Sequence, residues 1–268
     1  GQEPVIIYER WHIYQFNDTV LKQDFKVYTA NKTSQKLSDS NTLIGDESDL
    51  FIETGASIEG ATLNTTAGPI YVGHHAEIME GSLVRGGLSL CEKATLKMGS
   101  KVYGACSIGP HCKVGGEINN VIFQSYSNKG HDGFLGNSIV GEWCNLGADT
   151  NTSNLKNNYA NVKTYSYESK SEIKTDIQFM GLCMGDYSKS GINTMFNTAS
   201  VIGVSCNVFG SGFPAKHIPS FSWVNTLDIV TFDLGKAITS ANNMMTRRNL
   251  ELNQHDKDIF SHLSNSKT

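Results

Sequence analysis

A chain of 268 residues with a net charge of −4 and 39% hydrophobic residues can bury a sizeable core and carries no global basic footprint for nucleic acid. No apolar run approaches the length of a membrane span, and the start, Gly1-Gln2-Glu3-Pro4, shows no signal-peptide pattern, so no membrane and a cytoplasmic location are expected. Six cysteines without a CxxC pair point to small reduced thiols rather than disulfides or zinc.

Residues 1–40 are not repetitive. Trp11, Tyr14, Val20, Leu21 and Phe25 are spaced for one short helix, and the polar stretch from Asn31 to Asn41 reads as a loop. A repeat begins near Ile52. It becomes strict from Val72 to Asn119, where an apolar residue returns every six positions: Val72, Ile78, Val84, Leu90, Leu96, Val102, Ile108, Val114. A mostly small residue follows each by four, as at Ala76, Ser100, Cys106 and Cys112, with Leu88 and Ile118 as exceptions. Period six is neither a helix nor a simple alternating strand. It predicts an all-β solenoid of hexapeptide repeats, a parallel β-helix in which three hexads close one coil.

After Asn119 the register slips. Phe134, Val140, Leu146 and Thr152 are then predicted to face inward, with Ser138, Cys144 and Thr150 at corners. A polar excursion, 154–176, reads as a loop leaving a corner. Met184, Ser190, Phe196, Ile202 and Val208 form the last run, which Gly210 to Pro214 ends. The stretch 234–263 is helix-like, with Ala237, Ile238, Ala241, Met244, Met245 and Leu250 on one stripe, and is expected to cap the last coil. The expected division is a helical or linker segment at 1–45, a β-helix at 46–220 and a helical tail at 221–268.

The informative residues lie where the period breaks. They are Gly130-His131, Phe134-Leu135-Gly136, Gly141, Asn145-Leu146-Gly147-Ala148-Asp149-Thr150 and Asn154. Their order and spacing resemble the C-terminal acetyltransferase domain of the bifunctional glucosamine-1-phosphate acetyltransferase / N-acetylglucosamine-1-phosphate uridyltransferase family, and that of related sugar-1-phosphate nucleotidyltransferases. The resemblance implies a left-handed coil, a homotrimer, and acetyl-CoA as co-substrate for N-acetylation of an amino-sugar phosphate. It casts His131 as general base, a role suited to imidazole because its charge changes near neutral pH. Asn154 orients amine and base, Asn145 and Phe134 contact the sugar, and the backbone at Gly147, Ala148 and Asp149 lies along the acyl path, with an N–H near Ala148 for the developing oxyanion. Gly212-Phe213-Pro214-Ala215-Lys216 matches a common exit motif of hexapeptide acyltransferases and suggests that Lys216 meets a coenzyme phosphate; a solvated lysine on a turn is the plain alternative.

The chain also departs from this pattern. Glu117 matches a family glutamate, and Asn119 stands where the family has a sugar-binding lysine. Phe134 replaces a tyrosine and loses its hydroxyl. The family arginine for the sugar phosphate has no clear counterpart; Arg85, Lys97, Lys101 and Lys113 are candidates. Asp149 replaces a glycine and would repel phosphate if it faced it, while Lys156, Lys163, Lys170 and Lys174 could restore positive charge. No metal is expected, because His74 and His75 are adjacent and His111 and His131 isolated. Tyr126 and Trp143 read as wall or interface aromatics. The alternative reading is a trimerising C-terminal domain of a sugar-1-phosphate nucleotidyltransferase, its nucleotidyl domain absent here and its acyl site degenerate.

Overall fold

The computed structural model describes residues 4–266, so Gly1 to Glu3 of the start lie outside the described residues. The chain winds into a parallel β-helix of about 10 turns, with three flat walls of short strands. Val84, Val102 and Ile118 face inward from the first wall, Val72, Leu90 and Ile108 from the second, and Ile78, Leu96 and Val114 from the third. All of these are at most 2% exposed. Stacking each coil on the last buries these side chains in one continuous column, which no single coil can do alone.

The period shortens where the resemblance is strongest. Gly115 and Gly116 tighten one turn, so Ile118 is the inward residue of the next strand rather than a corner residue. The strands Glu117–Phe123 and Phe134–Val140 run unbroken round a corner and join the first two walls into one sheet. Inside that sheet Ile118 pairs with Leu135 and Glu117 with Phe134. Leu135 is therefore the core residue, and Phe134, expected to face inward, points out of the wall and is only partly buried. The reason is the alternation of a strand: a shift of one residue exchanges the two faces.

Pairing also starts earlier and ends later than the expected 46–220. Thr42–Ile44 already pairs with Thr62–Asn64, and the Asn31 to Asn41 stretch carries the first turn of the coil, with Gln35 N donating to Ile52 O. Past residue 220, Ser222–Asn225 still pairs in parallel with Asn207–Phe209. The excursion is not a simple loop. Lys163–Ser166 and Ser171–Lys174 form an antiparallel hairpin, with Val162 and Thr164 buried on its inner side.

Helices α1 (His12–Gln15) and α2 (Asn17–Thr29) lie along the second wall. Asn17 fixes them by donating to Ala105 O and accepting from Ser107 Oγ. Trp11 and Tyr14 fill the space between that wall and the hairpin, beside Ile139, Val162 and Met180. The tail forms α3 (Leu234–Thr246) and α4 (Gln254–Asn265), each started by a side-chain cap, Asp233 and Asn253. These helices do not simply cap the last coil. Their apolar stripe lies on the corner between the second and third walls, against Trp143, Tyr187 and Phe221.

That corner explains why aromatic residues line it. His111, Tyr126, Trp143, Tyr187 and Phe221 hold the same turn position at φ of 55–61°, with Ser205 at φ 54° in the coil between the last two. A left-handed residue with a Cβ costs roughly 1–2 kcal/mol. Each backbone N–H offsets this by donating to the coil below, as in Tyr126 N to Pro110 O and Trp143 N to Ser125 O. The rings consequently stack: His111 on Tyr126 at 4.6 Å and Tyr126 on Trp143 at 4.3 Å between centroids.

Candidate active site

The third wall runs Asn128-Lys129 and turns through Gly130 to Gly133 into the first wall. Counting six from Phe123 puts Lys129 in an inward position, where it pairs beside Val114. It is 1% exposed. Its ammonium donates to Gly115 O and to His131 O, both at 3.1 Å. Burial pulls its pKa down to about 8, against the pull of Asp132 and Asp149 in the other direction.

His131 itself is exposed, and its imidazole makes no hydrogen bond among the described residues. It opens onto a groove of about 650 Å³. Asn145, Gly147 and Ala148 from the next coil line the same groove, together with Asn128, Gly130, Tyr126 and Trp143. Asn145 N and Leu146 N donate to Ser188 O and Asn128 O, which fixes this coil against its two neighbours. The N–H groups of Gly147 and Asp149 donate to Ser190 O and Asp132 O. The Ala148 N–H between them has no acceptor among the described residues. The Asn128 Oδ1 is likewise buried without a donor among them. An unpaired buried polar group costs about 1–3 kcal/mol unless a ligand satisfies it.

Four cations rim the groove: Lys97 and Lys113 from the third wall, Arg247 and Arg248 from the end of α3. None of the four has a carboxylate partner among the described residues. Nearby, burial and the Lys93 charge lower the His111 pKa. The groove thus combines a positive rim with an aromatic wall, a surface that favours anionic groups.

The other expected residues lie elsewhere. Glu117, Asn119 and Phe134 face outward on the first wall. Tyr103 donates to Glu117 at 2.6 Å, and Asn119 accepts from Asn120 at 2.7 Å. Asn154 sits past the far end of the next first-wall strand and donates to Asn137 at 2.8 Å, away from the groove lining. Asp149 is exposed but does not line the groove. Lys216 is held by the hairpin, donating to Lys163 O and pairing with Glu172 at 3.5 Å, so it does not join the four cations. Of the candidates for a phosphate-binding cation, Lys97 and Lys113 reach the groove, whereas Arg85 and Lys101 are not in its lining. Arg247, Arg248 and Lys129 were not anticipated. Lys129 could have been found by counting inward positions; the arginines could not, because only the docking of α3 brings them to the groove.

No known protein-family profile matches the chain. It is 30% identical over 116 residues to the bifunctional protein GlmU of Methanocaldococcus jannaschii, covering 43% of this chain and 28% of that protein. It is 26% identical over 182 residues to the bifunctional protein GlmU of Synechococcus elongatus, covering 64% of this chain and 36% of that one. Among solved structures, the polySia-specific acetyltransferase NeuO matches at 13% identity and a TM-score of 0.42, over 79% of this chain and 99% of NeuO. A variant of AntD, an N-acyltransferase from Bacillus cereus in complex with dTDP and coenzyme A, matches at 11% identity and a TM-score of 0.30, over 80% of this chain and all of that one. The chain spans about a third of the length of the curated relatives it matches. It is a hexapeptide-repeat β-helix chain that resembles the bifunctional GlmU proteins.

Proposed function

We propose that the chain is a CoA-dependent N-acyltransferase acting on an amino-sugar phosphate or a nucleotide-linked amino sugar, with the groove beside His131 as its active site. One observation carries this reading: the unpartnered imidazole of His131, the free Ala148 N–H and four unpaired cations share one groove. Lys97, Lys113, Arg247 and Arg248 match the several negative charges of coenzyme A, and Gly130, whose Cβ position is open, leaves room for its pantetheine arm. The amine of the sugar attacks the thioester carbonyl and forms the new C–N bond. His131 takes the proton that the amine loses, and the Ala148 N–H stabilises the oxyanion that develops on the carbonyl. Collapse breaks the C–S bond, and the proton on His131 passes to the departing thiolate. Asn128 and Asn145 supply polar contacts for the acceptor sugar.

The first wall carries exposed Ile44, Leu83 and Met195 beside Glu117, Asn119 and Phe134. In this reading that wall meets a neighbouring copy in a homotrimer, which would bring one copy's first wall to another's groove. Asp149, absent from the groove lining, leaves the path open to phosphate. The alternative is a trimerising domain of a sugar-1-phosphate nucleotidyltransferase with a degenerate acyl site, which the departures at Asn119, Phe134 and Asp149 favour. Free-thiol release from acetyl-CoA across a panel of amino-sugar phosphates and nucleotide-linked amino sugars separates the two. Release with at least one acceptor is expected. No release, together with no binding of CoA by calorimetry, would leave the degenerate domain.

A further inference from the structure

We propose that Lys129 is a positioning residue for His131: threaded along the inside of the coil, its ammonium binds the His131 and Gly115 carbonyls and fixes the corner that presents the imidazole to the groove. The inference rests on the reading of His131 as the base, but its observations are separate from that reading.

The inward position Lys129 occupies is aliphatic in the coils before it, at Ile78, Leu96 and Val114, and at Leu146 in the coil after it. A lysine there gives up apolar packing and carries the cost of removing an ammonium from water, where a Leu or Met of similar reach would be neutral or stabilising. Its retained bonds are therefore informative. Both acceptors are backbone carbonyls at the turn, 3.1 Å away. The bond to His131 O is made from two residues earlier in the chain, so it closes the Lys129–His131 segment on itself. The other ties of this corner run from Asp149 N to Asp132 O, from Glu117 N to Gly133 O and from Phe134 N to Asn151 Oδ1. None of them holds His131 directly. The imidazole has no partner of its own among the described residues, so the placement of its Cα is what the corner supplies, and Lys129 is the group that bonds His131 there. Asp132 and Asp149, the latter replacing a glycine of the resembling family, both lie close enough to favour the charged lysine.

Lys129→Met tests this, because the thioether fills the same space and donates nothing. The expected result has three parts. The kcat for acyl transfer falls about 10- to 100-fold, as expected for a misplaced catalytic group, while KM for both substrates stays within about twofold. Amide exchange across 130–134 quickens at least about tenfold relative to the coils at 72–108. The thermal midpoint does not fall. Unchanged kcat and unchanged exchange in a folded Lys129→Met overturn the proposal. So does failure of both Lys129→Met and Lys129→Leu to fold, which would make the lysine a fold residue. If the wild-type chain transfers no acyl group to any acceptor, the proposed function fails on its own, and the exchange measurement still decides the role of Lys129.

Discussion

At the scale of single residues, the buried Lys129 makes stability depend on pH in a direction that can be worked out. In the unfolded chain the amine keeps its proton to its ordinary value near 10.5, whereas in the fold it releases it near 8. Between those values the unfolded chain binds more protons, so folding stability contributed by this group rises as pH rises, by about 3 kcal/mol in all. Buried thiols act in the opposite sense: burial pushes Cys106 and Cys112 up to about 12 and Cys206 to about 11. The lysine is isolated by subtraction. Denaturant unfolding of wild type and Lys129→Met at pH 7.5 and 10 should show the variant's relative advantage shrinking at the higher pH; a constant difference would contradict the burial. A second residue, Gly130, probes the groove floor. A Cβ there would meet nothing within 4 Å, so Gly130→Ala should fold normally. Its methyl narrows the path beside His131, and KM for the acyl donor should rise several-fold; an unchanged KM would put the pantetheine path elsewhere.

At the scale of elements, α3 and α4 join the aromatic corner to the groove. Phe260 is 3% exposed and meets the edges of Tyr187 and Phe221 at 5.0 and 5.5 Å between centroids. Phe260→Ala should cost about 3–5 kcal/mol of helix docking, read as a lower denaturant midpoint. It should also weaken CoA binding, since Arg247 and Arg248 ride on the same pair of helices. Replacing Arg248 by Ala alone should leave stability nearly unchanged and raise KM for CoA more at low salt than at high salt, because exposed charges are screened. Equal loss at both salt concentrations would argue against a phosphate contact. How far each element could be read beforehand follows from what holds it. The strands from 72 to 114 repeat one local pattern, and their six-residue period was readable because every coil solves the same packing problem. The five-residue steps at Ile118 to Phe123 and Leu135 to Val140 were hidden. The two unbroken strands round the corner with five residues, where the separate strands of the earlier coils use six, and that difference is set with the neighbouring coil. This is why Phe134 was expected inward and Leu135 was the residue found there. The first tail helix is legible from its stripe at Ala237, Ala241 and Met245, but the break after Thr246, which leaves Leu250 exposed outside any helix, is not. Neither is the resting place of the pair, which is set by contact with the distant rings of Trp143 and Phe221.

At the scale of the whole molecule, the β-helix is a rigid ruler that brings residues far apart in sequence to one groove. His131 and Asn145 are set by successive coils, Lys97 and Lys113 by earlier ones, and Arg247 and Arg248 by the tail. With exposed apolar side chains on its first wall, the chain should sediment as a trimer, and Leu83→Glu on that wall should release monomers. Persistence of the trimer in that variant would move the interface to another wall. In the proposed function, His131 is the base of an acyl transfer carried out in this groove. The most direct measurement is the turnover of His131→Ala with acetyl-CoA and the best acceptor, alongside its affinity for CoA. A fall in kcat of about 10²–10⁴-fold, with CoA binding kept within about twofold, is the result expected. Turnover equal to that of the wild type would contradict the claim.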